Sequence, residues 1–371
     1  MRPFSLLIKP SGPDCNIACQ YCFYCRKAEL FDSAKHRMRD EMLERLVSDY
    51  MRLGFEMSSF AWQGGEPTLI GLDFYKRVVE LQQAFCKDGQ HFSNALQTNA
   101  ILLDDNWCRF LAEHNFLVGI SLDGTKEMHD HYRLDKGGND TFDRVVKAIN
   151  CCKEFNVDYN ILTLLNDHNV GRVDEVFDFF IEQNFKFWQF VPCVEIDPDS
   201  GEVAGFSITP KQFGDFLCRL FDRWIQLGPE KISIRMFDSI LSYCLNGRHT
   251  NCTFNRSCND YLVVEHNGDV FCCDFFVEPD FKCGNIMDQS LGKLIASDVK
   301  KEFARRKSKV ENKCFLCRHK AICQGGCLKD RIVDTSDYAH CSYFCESYRQ
   351  FFDYALPKFM QIAAEFSSRG L

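Results

Sequence analysis

An excess of positive charge is missing. Lys and Arg number 44 against 52 Asp and Glu, a formal −8 over 371 residues, so the chain has no basic footprint for nucleic acid or an anionic membrane surface. Long apolar runs are also absent. No stretch approaches the ~20 apolar residues that a spanning helix needs, and the opening MRPFSLLIKP, interrupted by Pro3, Lys9 and Pro10, is too short for a secretory signal. No low-complexity tract occurs, and 46% hydrophobic against 26% charged residues excludes global disorder. These absences predict a cytoplasmic protein of roughly two domains, at ~150 residues each, with neither nucleic acid nor membrane as a partner. What the chain has in quantity is cysteine, 22 residues. A cytoplasmic chain keeps its thiols reduced, so such a number points to metal binding rather than disulfides.

Apolar spacing alternates along the first half of the chain. Strand-like segments at 4–10, 58–62, 91–98, 116–124, 157–165 and 185–191 are separated by amphipathic helical segments at 40–51, 71–85, 104–115, 141–155 and 173–183. Repeated βα units at this interval predict a parallel sheet with right-handed crossovers. Six units fall two short of a closed eight-stranded barrel, so the expected fold is α/β, a partial, open (β/α)6 barrel over residues 1–206. A helical connection at 207–250, with its helix at about 209–227, then leads to a loop-rich, cysteine-rich segment at 251–346. A C-terminal helix over 347–371 is expected to pack back on the core.

The loop after the first strand carries Cys15, Cys19 and Cys22 as C-x3-C-x2-C, where parallel sheets place their sites. Zinc usually takes four protein ligands in a structural site; a cubane held by three thiolates keeps one iron open. Cys25 stands close enough to complicate the count. The run CNIACQYC, with Tyr21 before the last cysteine, resembles the signature of the radical S-adenosylmethionine (SAM) enzymes. That resemblance implies a [4Fe–4S] cluster on Cys15, Cys19 and Cys22 whose open iron binds SAM. It further implies that the turn Gly64, Gly65, Glu66 and Pro67 meets the methionine amino group, and that Tyr21, Ser121, Arg133 and Val194 lie against the cofactor.

A second cysteine field contains Cys314, Cys317, Cys323 and Cys327 as C-x2-C-x5-C-x3-C, with Cys345 beyond it and Cys252, Cys258 and Cys273 upstream. Four-cysteine sites suit zinc as well as iron–sulfur clusters. The run resembles the SPASM auxiliary-cluster domain. By that resemblance Cys252, Cys258, Cys273 and Cys327 hold one [4Fe–4S] cluster and Cys314, Cys317, Cys323 and Cys345 another, giving three clusters in all. Cys272 and Cys341 lie near proposed ligands and could substitute for them.

The ordered strings KP, CFY, WQGGEPTL, LQTN, HD-YR, VE-NGDV, CDFFVEP and GNI narrow the resemblance to the anaerobic sulfatase-maturating enzymes. It implies an oxidoreductase that converts a Cys or Ser in a sulfatase motif [CS]-x-[PA]-x-R to Cα-formylglycine, with Asp274 as general base and Tyr24 and Gln63 positioning the peptide. A flavodoxin or ferredoxin-type donor and a monomeric chain are expected. Thr253 and the run Cys327-Leu328-Lys329-Asp330-Arg331 depart from the family pattern of Gly after the first auxiliary cysteine and CPKNR at the fourth. A SPASM enzyme that builds thioether or carbon–carbon crosslinks in ribosomal peptides is therefore the second reading, and an iron–sulfur electron carrier is the reading from another class.

Overall fold

A computed structural model describes residues 2–31, 34–331 and 340–368. Along the chain it contains β1 (Ser5–Lys9), α1 (Asp40–Arg52), β2 (Met57–Trp62), α2 (Leu72–Phe85), β3 (His91–Thr98), α3 (Asp105–Glu113), β4 (Leu117–Ser121) and α4 (Lys126–Tyr132). There follow α5 (Phe142–Glu154), β5 (Tyr159–Leu165), α6 (Val173–Glu182), β6 (Phe187–Pro192), α7 (Pro210–Leu227), β7 (Ser233–Ile234), α8 (Arg235–Asn246), β8 (Tyr261–Glu265), β9 (Asp269–Phe271) and β10 (Lys282–Asn285). The last elements are α9 (Leu291–Ile295), α10 (Asp298–Arg306), α11 (Asn312–Phe315), α12 (Lys320–Cys323) and α13 (Cys345–Ser368). Residues 369–371, assigned to the last helix by sequence, lie outside the described residues. None of the described helices is long and apolar enough to cross a membrane.

Two compact units emerge. The first comprises Met1–Ser121, Tyr132–Tyr159 and Cys258–Ala304, and its strands run in the order β10-β9-β8-β1-β2-β3-β4. β1, β2, β3 and β4 pair in parallel, as the alternating pattern predicts. Leu6, Ile8, Phe60, Trp62 and Leu96 are buried on this sheet, together with a hydrogen-bonded polar cluster. Trp62 Nε1 and Gln82 Nε2 both donate to Asn94 Oδ1, at 2.9 and 3.0 Å, which fastens β2, β3 and α2 together.

The sequence reading ends the sheet at six strands and treats 251–346 as loops. The structure differs: β8 joins β1 in parallel, from Ser5↔Tyr261 to Lys9↔Glu265, and β9 and β10 continue the sheet antiparallel. These strands are three to five residues long, and what makes them strands is the hydrogen-bonding edge that β1 offers, which no local pattern displays. The consequence for function is large, because β8 carries Glu265 to the carboxyl end of the sheet beside Lys9.

The second unit comprises Leu122–His131, Asn160–Ser257 and Arg305–Leu371, with β5, β6 and β7 in parallel. α7 begins with a reciprocal cap: Thr209 Oγ1 accepts from Gln212 N and the Gln212 side chain accepts from Thr209 N, with Pro210 at the first helical position. Helices α7, α8 and α13 share an aromatic core in which Phe237 stacks on Phe351 at 5.5 Å and Trp224 meets Phe359 at 5.7 Å.

Candidate active site

At the carboxyl ends of the first unit's strands, the cysteine loop after β1 is pinned by backbone contacts. Gly65 N donates to Gly12 O and Glu66 N to Asp14 O, at 2.9 and 2.7 Å. The approach is so close that a Cβ on Gly65 would lie 2.2 Å from Asp14 O, which is why the turn after β2 requires glycine. The Glu66 carboxylate is fully buried. It accepts from Thr68 N, Thr68 Oγ1, Thr98 Oγ1 and Asn99 N at 2.6 to 3.0 Å, and so locks the turn to the end of β3. Burial pushes its pKa up despite these donors.

The loop's other side is held by the segment after α4. Ala18 N donates to Leu134 O at 2.8 Å, and Arg133, itself buried, directs its guanidinium at Cys19 Sγ (4.0 Å) and over the Tyr21 ring (5.5 Å). Ser121 Oγ accepts from Gln97 Nε2 at 3.2 Å. The Cys22 thiol is drawn down to about 6, first by its hydrogen bond with Cys25 and in part by the Arg133 charge, against the effect of burial. Cys15 is pushed up to about 11 by burial, then by the Glu66 charge, and Asn99 Nδ2 stands 3.7 Å from its sulfur. Cys25 is displaced upward, first by its bond to Cys22.

Beside this loop the structure gathers residues far apart in sequence. Gln63 Nε2 donates to Asp274 Oδ2 at 3.2 Å, and Lys9 Nζ lies 2.5 Å from Asp274 Oδ1. Lys9 also sits 3.2 Å from the centre of the Tyr24 ring, while the Tyr24 hydroxyl donates to Glu265 Oε1 at 2.6 Å. Tyr24 is buried, and burial followed by the Glu265 charge holds its hydroxyl proton firmly in place. The structure thus brings Asp274 and Gln63 into contact, and Tyr24 reaches them through the Lys9 ammonium over its ring. Lys9, Glu265 and Asn99 join these residues without a sequence signal of their own: they lie in the strings KP, VE-NGDV and LQTN, but a lysine or glutamate at a strand end reads as an ordinary surface charge.

The auxiliary cysteines divide between the units: Cys258 and Cys273 belong to the first, the other six to the second. Cys273 is pushed up to about 12 by burial, partly offset by Tyr261, whose hydroxyl is 2.9 Å from its sulfur. In the second unit Cys314, Cys317, Cys323, Cys341 and Cys345 line one cavity of about 460 Å³. Cys314 and Cys341 are 3.1 Å apart at sulfur. Among the described residues no three His, Cys, Asp or Glu side chains gather closely enough for a single metal ion; a cubane instead takes each thiolate on a separate iron, and the several cysteines among the lining residues suit it.

Lys307 is buried and donates to Thr253 O, at 2.7 Å, and to Gly326 O, tying together the segments that carry Cys252 and Cys327. Because this contact uses a backbone carbonyl, threonine in place of glycine after Cys252 leaves it intact. Arg331 retains the arginine of the family run and donates to the carbonyls of Lys307 and Lys309 at 3.0 and 2.6 Å. Lys329 donates to Val194 O and pairs with Glu195 at 2.7 Å, and Val194 is fully buried.

Comparison with known proteins agrees with this geometry. Residues 10–180 match the Radical SAM superfamily and residues 252–318 an iron–sulfur cluster-binding domain, SPASM. The chain is 38% identical to a cysteine-type anaerobic sulfatase-maturating enzyme of Clostridium perfringens, covering 98% of this chain and 99% of that one. It is 36% identical to a serine-type enzyme of Bacteroides thetaiotaomicron, covering 96% and 90%. A solved structure of native anSMEcpe with bound AdoMet superposes with a TM-score of 0.92 at 38% identity, over 98% of this chain and all of that one. Likeness of this degree along nearly the whole of both chains shows the family: the chain belongs to the anaerobic sulfatase-maturating enzymes, radical SAM oxidoreductases that work with SAM, a [4Fe–4S] cluster and the auxiliary clusters of a SPASM domain.

Proposed function

We propose that this chain oxidises one Cys or Ser within a [CS]-x-[PA]-x-R motif of a sulfatase to Cα-formylglycine, with Asp274 receiving the proton of the target thiol or hydroxyl. The observation that carries this reading is the position of the Asp274 carboxylate, buried, bonded to Gln63 at the GGEP turn and adjacent in sequence to the auxiliary ligand Cys273. Asp274 thus links, through Gln63, the turn that would meet SAM to a residue that would hold an auxiliary cluster. When bound, SAM and the clusters supply a hydrogen-abstracting radical at the substrate Cβ and an acceptor for the remaining electron.

The residues divide the remaining work. Cys15, Cys19 and Cys22 hold the SAM-binding cluster; Cys252, Cys258, Cys273 and Cys327 hold one auxiliary cluster; Cys314, Cys317, Cys323 and Cys345 hold the other. Tyr21, Gly64, Gly65, Glu66, Ser121, Arg133 and Val194 shape the SAM pocket. Arg133 adds a buried cation beside the ligand thiols, which favours their ionised, metal-binding form. Gln63 orients one oxygen of Asp274, and Tyr24 walls the site beside Lys9. Loss of one hydrogen atom, one proton and one electron is a two-electron oxidation at Cβ; for Cys, water then replaces sulfur, which leaves as hydrogen sulfide. The chain acts as a monomer and draws its electron from a flavodoxin or ferredoxin-type protein.

The test is mass spectrometry of a peptide containing the motif after incubation with the reconstituted protein, SAM and reductant. The expected change is about −18 from a Cys peptide or about −2 from a Ser peptide, with a product that adds a hydrazine. A Cys peptide that loses two hydrogens, refuses the hydrazine and carries an internal link would establish crosslink formation instead.

A further inference from the structure

We propose that Lys9 is a positioning residue for this oxidation, fixing the orientation of the Asp274 carboxylate through a buried ammonium that Tyr24 and Glu265 hold in place. The inference rests on the reading of Asp274 as the base. Lys9 ends β1 and is fully buried, an unusual position for a lysine. It touches Asp274 Oδ1 at 2.5 Å, but its Nζ makes no aligned hydrogen bond, so the contact is ionic. On the opposite side of the carboxylate, Gln63 Nε2 holds Oδ2. The two oxygens are therefore gripped from the ends of adjacent strands, β1 and β2, and the plane of the carboxylate is set by both.

The ammonium in turn is kept from leaving. Its neighbour is the face of the Tyr24 ring, 3.2 Å from Nζ to the ring centre, a cation–π contact that gains strength when both groups are removed from water. Tyr24 cannot swing aside without breaking its hydroxyl's bond to Glu265, and Glu265 stands opposite Lys9 in the β8·β1 register. Glu265, Tyr24, Lys9, Asp274 and Gln63 form a continuous chain of contacts across the carboxyl ends of three neighbouring strands.

Stability alone does not account for such a lysine. A buried ion pair is commonly matched or bettered by apolar side chains of the same volume, and burying an ammonium without aligned acceptors is costly. A fixed carboxylate, by contrast, has a direct use, since a proton acceptor must meet its target within a narrow range of distance and direction.

The experiment measures formylglycine formed and 5′-deoxyadenosine released by wild type, Lys9→Met, Asp274→Asn and the double variant, with iron content confirming that each is folded and loaded. Asp274→Asn is expected to lower formylglycine formation by ~10²–10⁴. Lys9→Met is expected to lower its kcat by ~10²-fold, to raise the ratio of 5′-deoxyadenosine to product, and to leave the peptide KM within about threefold. In the Asp274→Asn background, Lys9→Met should cost nothing further, because a residue acting through Asp274 has nothing left to position. Should Lys9→Met hold less iron than wild type, Lys9→Gln is judged by the same criteria. A full additional loss in the double variant, or wild-type kcat in the lysine variant, overturns the role of Lys9. Wild-type formylglycine formation by Asp274→Asn overturns the underlying reading of the base, an outcome separate from either.

Discussion

Gly65 shows how much one hydrogen atom in place of a methyl group can decide. Its backbone N–H bonds the loop ahead of Cys15, and a Cβ there would meet the Asp14 carbonyl at 2.2 Å and its carbon at 2.6 Å. Those are backbone atoms, so relief requires the cysteine loop itself to move. Gly65→Ala is expected to cost ~1–3 kcal/mol of stability and to weaken SAM binding about tenfold, for ~1.4 kcal/mol lost at the displaced loop. Equilibrium dialysis with the reconstituted protein checks the second figure; unchanged binding would separate the GGEP turn from the SAM pocket. Tyr24 makes a related point about side chains. Its hydroxyl is committed to Glu265 and its ring to the Lys9 ammonium, so a tyrosine that reads in the sequence as a free donor is already engaged within the fold.

Among the elements, α6 and α7 show electrostatics acting at the surface of a packed pair. Asp174 on α6 pairs with Arg219 and Arg223 on α7, at 3.0 and 2.6 Å. The hydrogen bond from Arg219 is the largest influence holding its carboxyl below the usual range. A carboxylate depressed in the folded state adds stability at pH values above its unfolded pKa, and that contribution disappears as the pH falls through the folded value. The side chain is about half exposed, so solvent screening limits the gain to less than about 1 kcal/mol. Asp174→Asn should therefore lower the apparent Tm slightly at neutral pH, and the difference from wild type should vanish in acid and shrink in high salt. A deficit that persists in acid would assign Asp174 a packing role. α7 itself is legible in the sequence because its cap residues Thr209, Pro210 and Gln212 and its apolar spacing are local signals. β8, β9 and β10 are not, since their short runs acquire strand geometry only from pairing that begins at β1.

For the whole molecule, the eleven assigned cysteines imply three cubanes and about twelve irons per chain after anaerobic reconstitution. Simultaneous replacement of Cys15, Cys19 and Cys22 by Ala should remove about four of them and abolish SAM cleavage. Iron analysis and the yield of 5′-deoxyadenosine check both; stoichiometric zinc, or only four irons in the wild type, would contradict the assignment. The sequence by itself pointed to metal binding through its local cysteine spacing, and to the cofactor chemistry through the resemblance of those runs to the radical SAM and SPASM families; thiol number and separation alone left zinc open at the second field. It also determined the parallel βα core, through apolar periodicity that any reader can count. Only the tertiary structure decided which charges share a site. Lys9, Gln63 and Asp274 belong to separate segments of the chain, and a lysine becomes a buried partner of a carboxylate only when β8 and β1 align Glu265 opposite it and Tyr24 closes over its ammonium. Such contacts arise from long-range strand pairing and the exclusion of water, neither of which leaves a periodic trace in the residues concerned.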